Sequence, residues 1–397
     1  MRILHAMHSM SPESGGPAEA VRRLAQMAQR DGIYEAEFVT LDAPDRPYLR
    51  SEVLPIHAVG PGRGKYGYTQ ALDRWLEKNL ERFDGVSVHG LWQYHGYAIW
   101  KACHGRKPYV AFAHGMLDPW FRRAYPAKHL KKALYWEAIE RRQLRDATAV
   151  IFTSAVEAEL APTTYRGSKW TSCVVPYGTT EPTGDCGLQV EAFLAACPEV
   201  REKPFLLFLG RLHQKKGCDL LVRAFSDVYG NDTGVHLVIA GPDEGGLKPE
   251  LLSLAVKVGD RIHFPGMLRG DAKWGAFYAA EAFALPSHQE NFGVAVAEAL
   301  ACGTPVLISN QVNIWREIAK DGVGLVEEDN LDGTTRLLER WRSLPQVERE
   351  AMTARCVPSF RQRYNAKEVP KILARLFSDQ RREGLPMMTS NSGLVPR

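Results

Sequence analysis

The chain has 397 residues, which is enough for two ordinary domains with full hydrophobic cores. Its hydrophobic content of 45% and charged content of 24% are typical of a soluble globular protein, and no apolar run is long enough to span a membrane. A formal net charge of +4 is too small to predict nucleic-acid binding, although it suits an anionic ligand or an acidic membrane surface. The seven cysteines lack metal-ligand spacing, which argues against a zinc site and favours a reducing, cytoplasmic location.

The first half of the chain alternates short apolar runs with stretches of helical periodicity. Strands are predicted at residues 2–7, 36–41, 85–89, 109–113 and 149–153. Helices are predicted after Pro17 and over about residues 127–145. Because strands and helices alternate over this length, the pattern predicts a parallel, doubly wound α/β sheet.

The same pattern restarts near Pro204. Strands are predicted at residues 204–210, 235–240, 261–264, 282–285 and 305–308. Helices are predicted at residues 219–229, 248–258, 272–280 and 293–301. The repeat of the pattern predicts two Rossmann-like domains in tandem.

Domain boundaries are predicted from local composition. The turn-rich stretch that begins at Pro182 is the expected linker, so the first domain is predicted to cover residues 1–182 and the second residues 183–361. A last helix is predicted within residues 362–378. Residues 379–397 read as a tail, and its end resembles the scar of a protease site.

The most specific local pattern lies between Ser287 and Val306. The loop Glu290-Asn-Phe-Gly293 opens a helix of small residues, and that helix carries Glu298 two turns later. The N-terminus of such a helix can meet an anion, and the two carboxylates can bind hydroxyl groups at either end of it. A nucleotide sugar has this layout, with a sugar, a pyrophosphate and a ribose. The alternative is an unrelated surface acid followed by a helix acid.

A basic segment directly follows the predicted strand at 204–210. Arg211 and Lys216 are five residues apart within it, so their cationic groups can converge on one pyrophosphate. A solvated basic turn is the alternative interpretation. Because ligands of open α/β sheets bind at the carboxyl ends of strands, the position favours an anion site.

The first domain has weaker candidates at its own strand ends. Gly15 and Gly16 precede a predicted helix and can form an anion site, or simply a turn. His114 follows a strand and is expected to face a cleft between the domains.

Other first-domain residues are candidates for the acceptor. His89, Trp92 and Tyr94 lie one strand earlier than His114 and can line an acceptor pocket, although packing at a strand end is the alternative for His89. The basic amphipathic stretch 128–144 can touch anionic lipid, or it is a solvated helix.

In combination, these motifs resemble the retaining glycosyltransferases of family 4, which have the GT-B fold of two Rossmann-like domains facing across a cleft. The resemblance covers residues 1 to about 377 and implies an acceptor-binding first domain, a donor-binding second domain and a last helix that returns to the first. The matching motifs are Gly15-Gly16, His114-Gly115, Gly210–Gly217, Phe264-Pro-Gly266 and the pair Glu290 and Glu298.

The resemblance implies which residues bind the nucleotide of the donor. Arg211 and Lys216 are expected to bind the diphosphate, and Glu298 the ribose hydroxyls. The backbone at Met267 and Leu268 is expected to read the base.

The resemblance also implies which residues bind the donor sugar. Gly15 and Gly16 are expected to offer backbone amides to the distal phosphate, Glu290 to bind a sugar hydroxyl and His114 to reach the 6-hydroxyl. The amides expected beside Glu290 are those of Asn291, Phe292 and Gly293. The family often has glycine where this chain has Asn291, which bears on sugar selectivity. The expected catalytic residues are His114, Glu290, Arg211 and Lys216.

The implied activity is retaining transfer of a hexose from a nucleotide sugar, with UDP-glucose the first expectation, to a hydroxyl of a sugar or lipid-linked sugar. Polysaccharide or glycolipid synthesis would use such a reaction. No metal ion or cofactor is expected, and no nucleic-acid partner. Two alternatives remain, namely a nucleotide-sugar 2-epimerase and a non-catalytic binding protein of the same fold.

Overall fold

The computed structural model describes residues 1–11, 16–50, 53–176, 178–231, 234–243, 245–255 and 257–378. These residues divide into two compact units, one of residues 1–176 with 366–378 and one of residues 178–365. The boundaries expected from the sequence lie after residues 182 and 361. The predictions for Gly15 and for the tail 379–397 lie outside the described residues.

The first unit is built on a parallel sheet of seven described strands. These are β1 (Arg2–Met7), β2 (Glu35–Thr40), β3 (Ile56–Ala58), β4 (Gly85–His89), β5 (Tyr109–Phe112), β6 (Ala149–Phe152) and β7 (Ser172–Val174). The spatial order is β3-β2-β1-β4-β5-β6-β7, so the winding direction reverses between β1 and β4. The sequence prediction omitted β3 and β7, because each has three residues and neither is fully buried.

Helices connect the strands of this sheet, as parallel pairing requires. They are α1 (Gly16–Arg30), α2 (Gln70–Asn79), α3 (Tyr94–Cys103), α4 (Trp120–Ala124), α5 (Pro126–Tyr135), α6 (Arg141–Asp146) and α7 (Ala155–Leu160). The helix predicted over 127–145 is present but not regular. A π-helical turn at Trp136–Glu140 separates α5 from α6.

The second unit repeats the architecture with six described strands, all parallel. These are β8 (Phe205–Leu209), β9 (His236–Ala240), β10 (Ile262–Gly266), β11 (Ala282–Leu285), β12 (Val306–Ser309) and β13 (Gly324–Glu327). Their order is β10-β9-β8-β11-β12-β13, which reverses between β8 and β11. The strands are rich in leucine, isoleucine, valine and phenylalanine because both faces of the sheet are covered.

Eight helices in the described part of this unit accompany the sheet. They are α8 (Cys186–Ala196), α9 (Cys218–Tyr229), α10 (Lys248–Leu254), α11 (Gly270–Ala279), α12 (Val294–Ala301), α13 (Trp315–Asp321), α14 (Leu331–Ser343) and α15 (Gln346–Arg363). Helices α8 and α11 approach closely because Gly275 has no side chain. A Cβ atom there would lie 1.8 Å from the carbonyl oxygen of Gln189.

The last helix, α16 (Val369–Ser378), packs on the first unit. Leu373 and Phe377 are buried, with at most 1% of their surface exposed. The ring of Phe377 fills the space beside Gly85 at the start of β4, where a Cβ atom would lie 2.3 Å from the ring. The fold of each unit is therefore a doubly wound α/β sheet, as the sequence predicts.

Candidate functional site

The strand order of the second unit brings two sequence-distant loops together. Strands β8 and β11 are neighbours, and the winding reverses between them. Arg211 and Lys216 follow β8, and Glu290 follows β11. Crevices at such reversal points are where open α/β sheets bind their ligands.

Three contacts to backbone carbonyls hold the lysine loop against the glutamate loop. The backbone N–H of His288 donates to the carbonyl of Lys215 at 2.8 Å, and the hydroxyl of Ser287 donates to the same oxygen at 2.9 Å. Gly217 lies directly on the carbonyl of Pro286, where a Cβ atom would approach to 2.2 Å, and its φ is +67°. Only glycine fits this position, so the sequence Lys-Lys-Gly places Lys216 beside the second loop.

Lys216 and Glu290 form an ion pair across these loops, in which the ammonium donates to Oε2 of the carboxylate. Both side chains are partly buried, with 20% and 18% of their surfaces exposed. At this burial the attraction is stronger than that of a solvated surface pair. The sequence prediction assigned the two residues to different parts of one ligand, and the structure brings them into contact.

The backbone around Glu290 is fixed on both sides. Its N–H donates to Gln311 at 2.9 Å, and its carbonyl accepts from the N–H of Asn313 at 3.0 Å. Gly293 then turns the chain into α12 with a φ of +77°. The start of α12 at Gly293, which has no side chain, therefore lies three residues after Glu290, and a helix N-terminus is a place where anions bind.

Glu298 lies one and a half turns into α12 and is 5% exposed. Its Oε1 accepts from the ammonium of Lys273 on α11 at 2.7 Å. The ammonium also lies 4.1 Å from the ring centroid of Trp274. The sequence prediction missed Lys273, since no spacing rule connects a lysine on one helix with a glutamate on the next.

Arg211 and the positions expected to read the base, Met267 and Leu268, follow strands of the same sheet. Gly210 and Gly241 are in close contact, because a Cβ atom on Gly241 would lie 1.8 Å from the carbonyl oxygen of Gly210. Arg211, which follows Gly210, is exposed. After β10, the side chain of Met267 is 50% exposed and that of Leu268 is 8% exposed. Residues 210, 241 and 267 thus lie at the same carboxyl edge of one sheet.

The first unit has its own reversal point, between β1 and β4. Helix α1 follows β1 and begins at Gly16, the position expected to offer an amide to a phosphate. His89 ends β4, and His114 follows β5, which is the next strand in the sheet.

A hydrogen-bonded row of imidazoles joins these strand ends. Nδ1 of His5 lies 3.0 Å from Nε2 of His89, and Nδ1 of His89 lies 3.3 Å from Nε2 of His114. The ring planes of each pair are 18° and 20° apart, with centroids separated by 5.3 Å and 5.5 Å, so the rings lie edge to edge. Burial lowers the pKa of His5 and of His114 to about 3, and it lowers the pKa of His89 as well. All three rings are therefore neutral at physiological pH.

The surroundings of His5, at one end of the row, indicate which ring nitrogens carry a proton. Nε2 of His5 is buried and has no hydrogen-bond partner among the described residues. A bare lone pair is tolerated better there than an unpaired N–H. We infer that His5 donates from Nδ1 to His89, which donates from Nδ1 to Nε2 of His114. His114 then carries its own proton on Nδ1.

The turn at His114 is held by a buried carboxylate. His114 has a φ of +50°, which is unusual for a residue with a side chain. The N–H of Gly115 donates to Oε1 of Glu157 at 2.7 Å, and the N–H of Thr153 donates to Oε2 at 2.7 Å. Glu157 is 3% exposed. The sequence prediction missed it because a lone glutamate early in a helix has no local signature.

The predicted acceptor residues lie in a packed region. His89 and Tyr94 are 3% and 5% exposed, and the hydroxyl of Tyr94 donates to Asp73. Trp92 has a φ of +71°, and its backbone N–H donates to Oε2 of Glu140 at 3.1 Å. These contacts explain the local order of the segment, and the acceptor role stays a prediction.

The basic stretch forms α5, the π-helical turn and α6. Leu130 and Leu134 of α5 are 69% and 73% exposed among basic neighbours. Within the described ranges, the helices are all too short or too polar to cross a bilayer. No cluster of three metal-ligating side chains occurs among the residues that the structure describes.

Two family models match the chain, one in each unit. The model described as "Glycosyl transferases group 1" matches residues 191–355, and the model described as "Glycosyl transferase 4-like domain" matches residues 15–178. The first range lies inside the second unit, which contains the Lys216–Glu290 pair. The second range covers most of the first unit.

Relatives with known names match part of the chain. The D-inositol 3-phosphate glycosyltransferase of Actinosynnema mirum is 33% identical over 180 residues, which is 42% of each protein. The protein of that name from Xylanimonas cellulosilytica is 38% identical over 139 residues, which is 33% of this chain and 31% of the relative. The match thus spans less than half the length of these curated relatives.

Solved structures match almost the whole chain. Sucrose-phosphate synthase from Thermosynechococcus elongatus superposes with a TM-score of 0.74 at 19% identity, covering 96% of this chain and 98% of that one. Anabaena HepE in complex with UDP and glucose superposes with a TM-score of 0.73 at 16% identity, covering 96% and 100%. At these identities the likeness establishes the fold. The two family models and the common fold place this chain among the glycosyltransferases of family 4, a family of transferase enzymes with the GT-B fold.

Proposed function

We propose that this chain is a retaining hexosyltransferase that moves a hexose from a nucleotide sugar to a hydroxyl group of an acceptor. The observation that carries the proposal is the Lys216–Glu290 pair at the reversal point of the second sheet. UDP-glucose is the first donor to test, because the similar structure of HepE was also solved with UDP-glucose.

The nucleotide is proposed to bind along the carboxyl edge of the second sheet. Arg211 and Lys216 bind the diphosphate, and Glu298 binds the ribose hydroxyls. The backbone at Met267 and Leu268 reads the base. A cation next to a helix N-terminus suits a diphosphate because both supply positive potential.

The donor sugar is proposed to bind beside the start of α12. Glu290 accepts from a sugar hydroxyl, and the neighbouring amides of residues 291–293 assist. In the first unit, His114 donates from its Nδ1 to the 6-hydroxyl, and Gly16 offers its amide to the distal phosphate. The neutral state of His114 suits a hydrogen bond to a hydroxyl.

The reaction is proposed to proceed by attack on the face from which the diphosphate leaves. The bond between the anomeric carbon and the phosphate oxygen breaks, a bond to the acceptor oxygen forms, and the acceptor proton moves to the leaving phosphate. Lys216 and Arg211 stabilise the negative charge that grows on that phosphate. His114 and Glu290 hold the sugar in the reactive orientation. This route uses no metal ion and no cofactor.

The acceptor is proposed to be a sugar or a lipid-linked sugar, as in polysaccharide or glycolipid synthesis. His89, Trp92 and Tyr94 remain candidates for its pocket. The exposed leucines and lysines of α5 offer a peripheral contact with an acidic membrane surface from the cytoplasmic side.

The diphosphate role of Lys216 is tested by titration of the protein with UDP. Lys216→Ala should weaken UDP binding by roughly tenfold to a hundredfold, since a partly buried charge-assisted contact to phosphate is lost. Lys215→Ala is the matched control, because it removes an ammonium from the same loop and keeps the carbonyl that accepts from Ser287 and His288. Equal affinity of wild type and Lys216→Ala would refute the assignment.

The donor class is tested by incubating the protein with UDP-glucose, GDP-mannose and ADP-glucose and measuring nucleotide release with and without acceptors. Acceptor-dependent release from UDP-glucose is expected. Conversion of a UDP-N-acetylhexosamine in the absence of any acceptor would indicate a 2-epimerase instead. Donor binding without turnover against a broad acceptor panel would indicate a binding protein.

A further inference from the structure

A polar cavity of about 560 Å³ opens at the carboxyl edge of the first sheet. Its walls come from the segments that follow β1, β2 and β3, which are adjacent strands. The side chains that give it chemical character are those of His8, Ser9, Asp42, Arg46 and Tyr48. Since open α/β sheets bind ligands at this edge, the cavity is placed to hold a substrate.

Asp42 organises the cavity wall and is satisfied by the protein itself. Its Oδ1 accepts from the hydroxyls of Ser9 at 2.6 Å and Tyr48 at 2.8 Å, and its Oδ2 accepts from the N–H of Met10 at 2.8 Å. The residue is 7% exposed. Because three donors already bind the carboxylate, it serves mainly to fix the loops that surround the cavity.

Arg46 differs from Asp42 in this respect. It is exposed at the cavity and has no carboxylate partner among the described residues. His8 adds no positive charge at neutral pH, because burial lowers its pKa. The guanidinium is therefore the cationic group of this wall that is left for a ligand, and its planar fork fits a phosphate or carboxylate.

We propose that this cavity, which none of the candidates His89, Trp92 and Tyr94 lines, is a further part of the acceptor site. It takes a hydroxyl-rich acceptor bearing an anionic group, which Arg46 binds while the polar wall around Asp42 receives the hydroxyls. The proposal rests on the proposed function, since it assumes a transferase whose donor binds in the second unit. The cavity is expected to prefer a charged sugar or polyol to a neutral one.

The affinity test uses the full chain without donor and needs no turnover. Glucose 6-phosphate, glucuronate and glucose are titrated, and binding is followed by isothermal calorimetry. Both anionic sugars should bind at least about tenfold more tightly than glucose, and Arg46→Gln should remove that preference. A difference between the two anionic probes identifies phosphate or carboxylate as the preferred group.

Two variants control for a general loss of positive charge. Arg50→Gln removes an exposed arginine four residues away, which lines a different hollow, and it should leave the preference intact. Arg46→Lys should restore part of it, since it keeps the charge and loses the fork. Equal binding of glucose and the anionic sugars, an equal loss in Arg50→Gln, or no saturable binding of either anionic sugar would overturn the proposal.

UDP binding separates this proposal from the proposed function. Arg46→Gln should bind UDP with wild-type affinity, because Arg46 is not among the residues proposed to bind the donor. Wild-type protein that binds anionic sugars but not UDP would contradict the proposed donor site alone. Wild-type protein that binds UDP but neither anionic sugar would contradict the acceptor cavity alone.

Discussion

At the scale of single residues, the candidate site depends on partners that are distant in sequence. Lys216 pairs with Glu290, and Glu298 pairs with Lys273. Each pair places a cation next to a carboxylate that is proposed to bind a hydroxyl of the donor. A donor must therefore compete for these side chains, which links its affinity to the strength of the pairs.

Because Lys216 and Glu290 are paired, the substitution Glu290→Gln should affect UDP binding and turnover differently. Glu290→Gln keeps the size of the side chain but releases Lys216 from its carboxylate. UDP should then bind about as tightly as to wild type or several-fold more tightly, because the diphosphate no longer competes with a carboxylate. Turnover should fall by roughly a hundredfold because the sugar loses a charged acceptor.

Calorimetry with UDP and initial rates with the donor measure the two effects. A parallel loss of UDP affinity and turnover would contradict this explanation. Lys216→Ala provides the comparison, because it should lower both quantities.

The imidazole row predicts the tautomer of each ring. Long-range ¹⁵N–¹H spectra at neutral pH should show His5, His89 and His114 protonated on Nδ1. The reason is that Nε2 of His5 is buried without a partner, so the protons are directed towards His114. Protonation of His114 on Nε2 would reverse the inferred order. Replacing His89 with phenylalanine should remove the tautomer bias of His114, because phenylalanine fills the position with a ring that cannot donate a hydrogen bond.

At the scale of secondary structure, the π-helical turn between α5 and α6 is associated with a buried carboxyl group. It places Glu140 inside the first unit, where the residue is 2% exposed and accepts from the N–H of Trp92. Burial raises the pKa of this carboxyl to about 8. Irregular turns of this type often occur where a helix carries a side chain with a special role. Here the observed role is to hold the loop at Trp92.

The raised pKa of Glu140 predicts how stability depends on pH. The folded state keeps the proton up to about pH 8, whereas the unfolded state loses it near 4.5. The contribution of this group is therefore fully present below 4.5 and is lost as the pH rises through 8. Glu140→Gln does not titrate at this position. The free energy of unfolding of the variant, relative to that of wild type, should therefore rise by on the order of 3 kcal/mol between pH 5 and pH 8.

Denaturant unfolding of both proteins at several pH values measures this gain. A difference that stays constant over the window would show that Glu140 is charged in the folded protein. Glu137→Gln is the control, because Glu137 is exposed on the same turn and its ion pair with Arg141 lies at the surface.

At the scale of the whole molecule, both units contain histidines whose pKa values are lowered by burial. In the first unit these are His5, His89 and His95, which are at most 3% exposed, and the partly buried His114. In the second unit His236 and His263 also have lowered pKa values. Protonation of such a ring in the folded protein is disfavoured because burial removes the water that would solvate the charge.

The first unit should therefore lose stability in mild acid. Its buried imidazoles have folded-state pKa values below the ordinary value of 6.5, down to about 3 for His5 and about 4 for His95. Their contribution is present above 6.5 and is lost as the pH falls, because only the unfolded chain takes up protons there. Each ring should cost on the order of 2 kcal/mol between pH 6.5 and pH 5.

Hydrogen exchange of β4 and β5 at pH 7 and pH 5, corrected for intrinsic rates, measures this loss. Unchanged protection would contradict it. Replacing His95 with glutamine should reduce the pH dependence, because glutamine can still donate to the carbonyl of His89 and does not titrate.

Much of the architecture follows from local patterns. Central strands such as β1, β4, β8 and β11 are buried, mainly apolar runs of four to six residues, so the sequence pattern predicts them to within a residue or two. The short edge strands β3 and β7 carry no such signal. Likewise, the sequence predicts a helix over 127–145 but not the π-helical turn in it, because the burial of Glu140 at the end of that turn has no local sequence signal.

Local patterns in the sequence specify the two doubly wound units, the cationic loop after β8 and the acidic helix start after β11, because hydrophobic period and strand-end chemistry are local properties. The contacts of Lys216 with Glu290 and of Lys273 with Glu298, and the row of three imidazoles ending at His114, arise from the folded arrangement of distant segments. Strand order and the close approach of loops bring these atoms together across 74, 25 and 84 residues of chain. No short-range pattern encodes such separations, since they depend on which strands become neighbours.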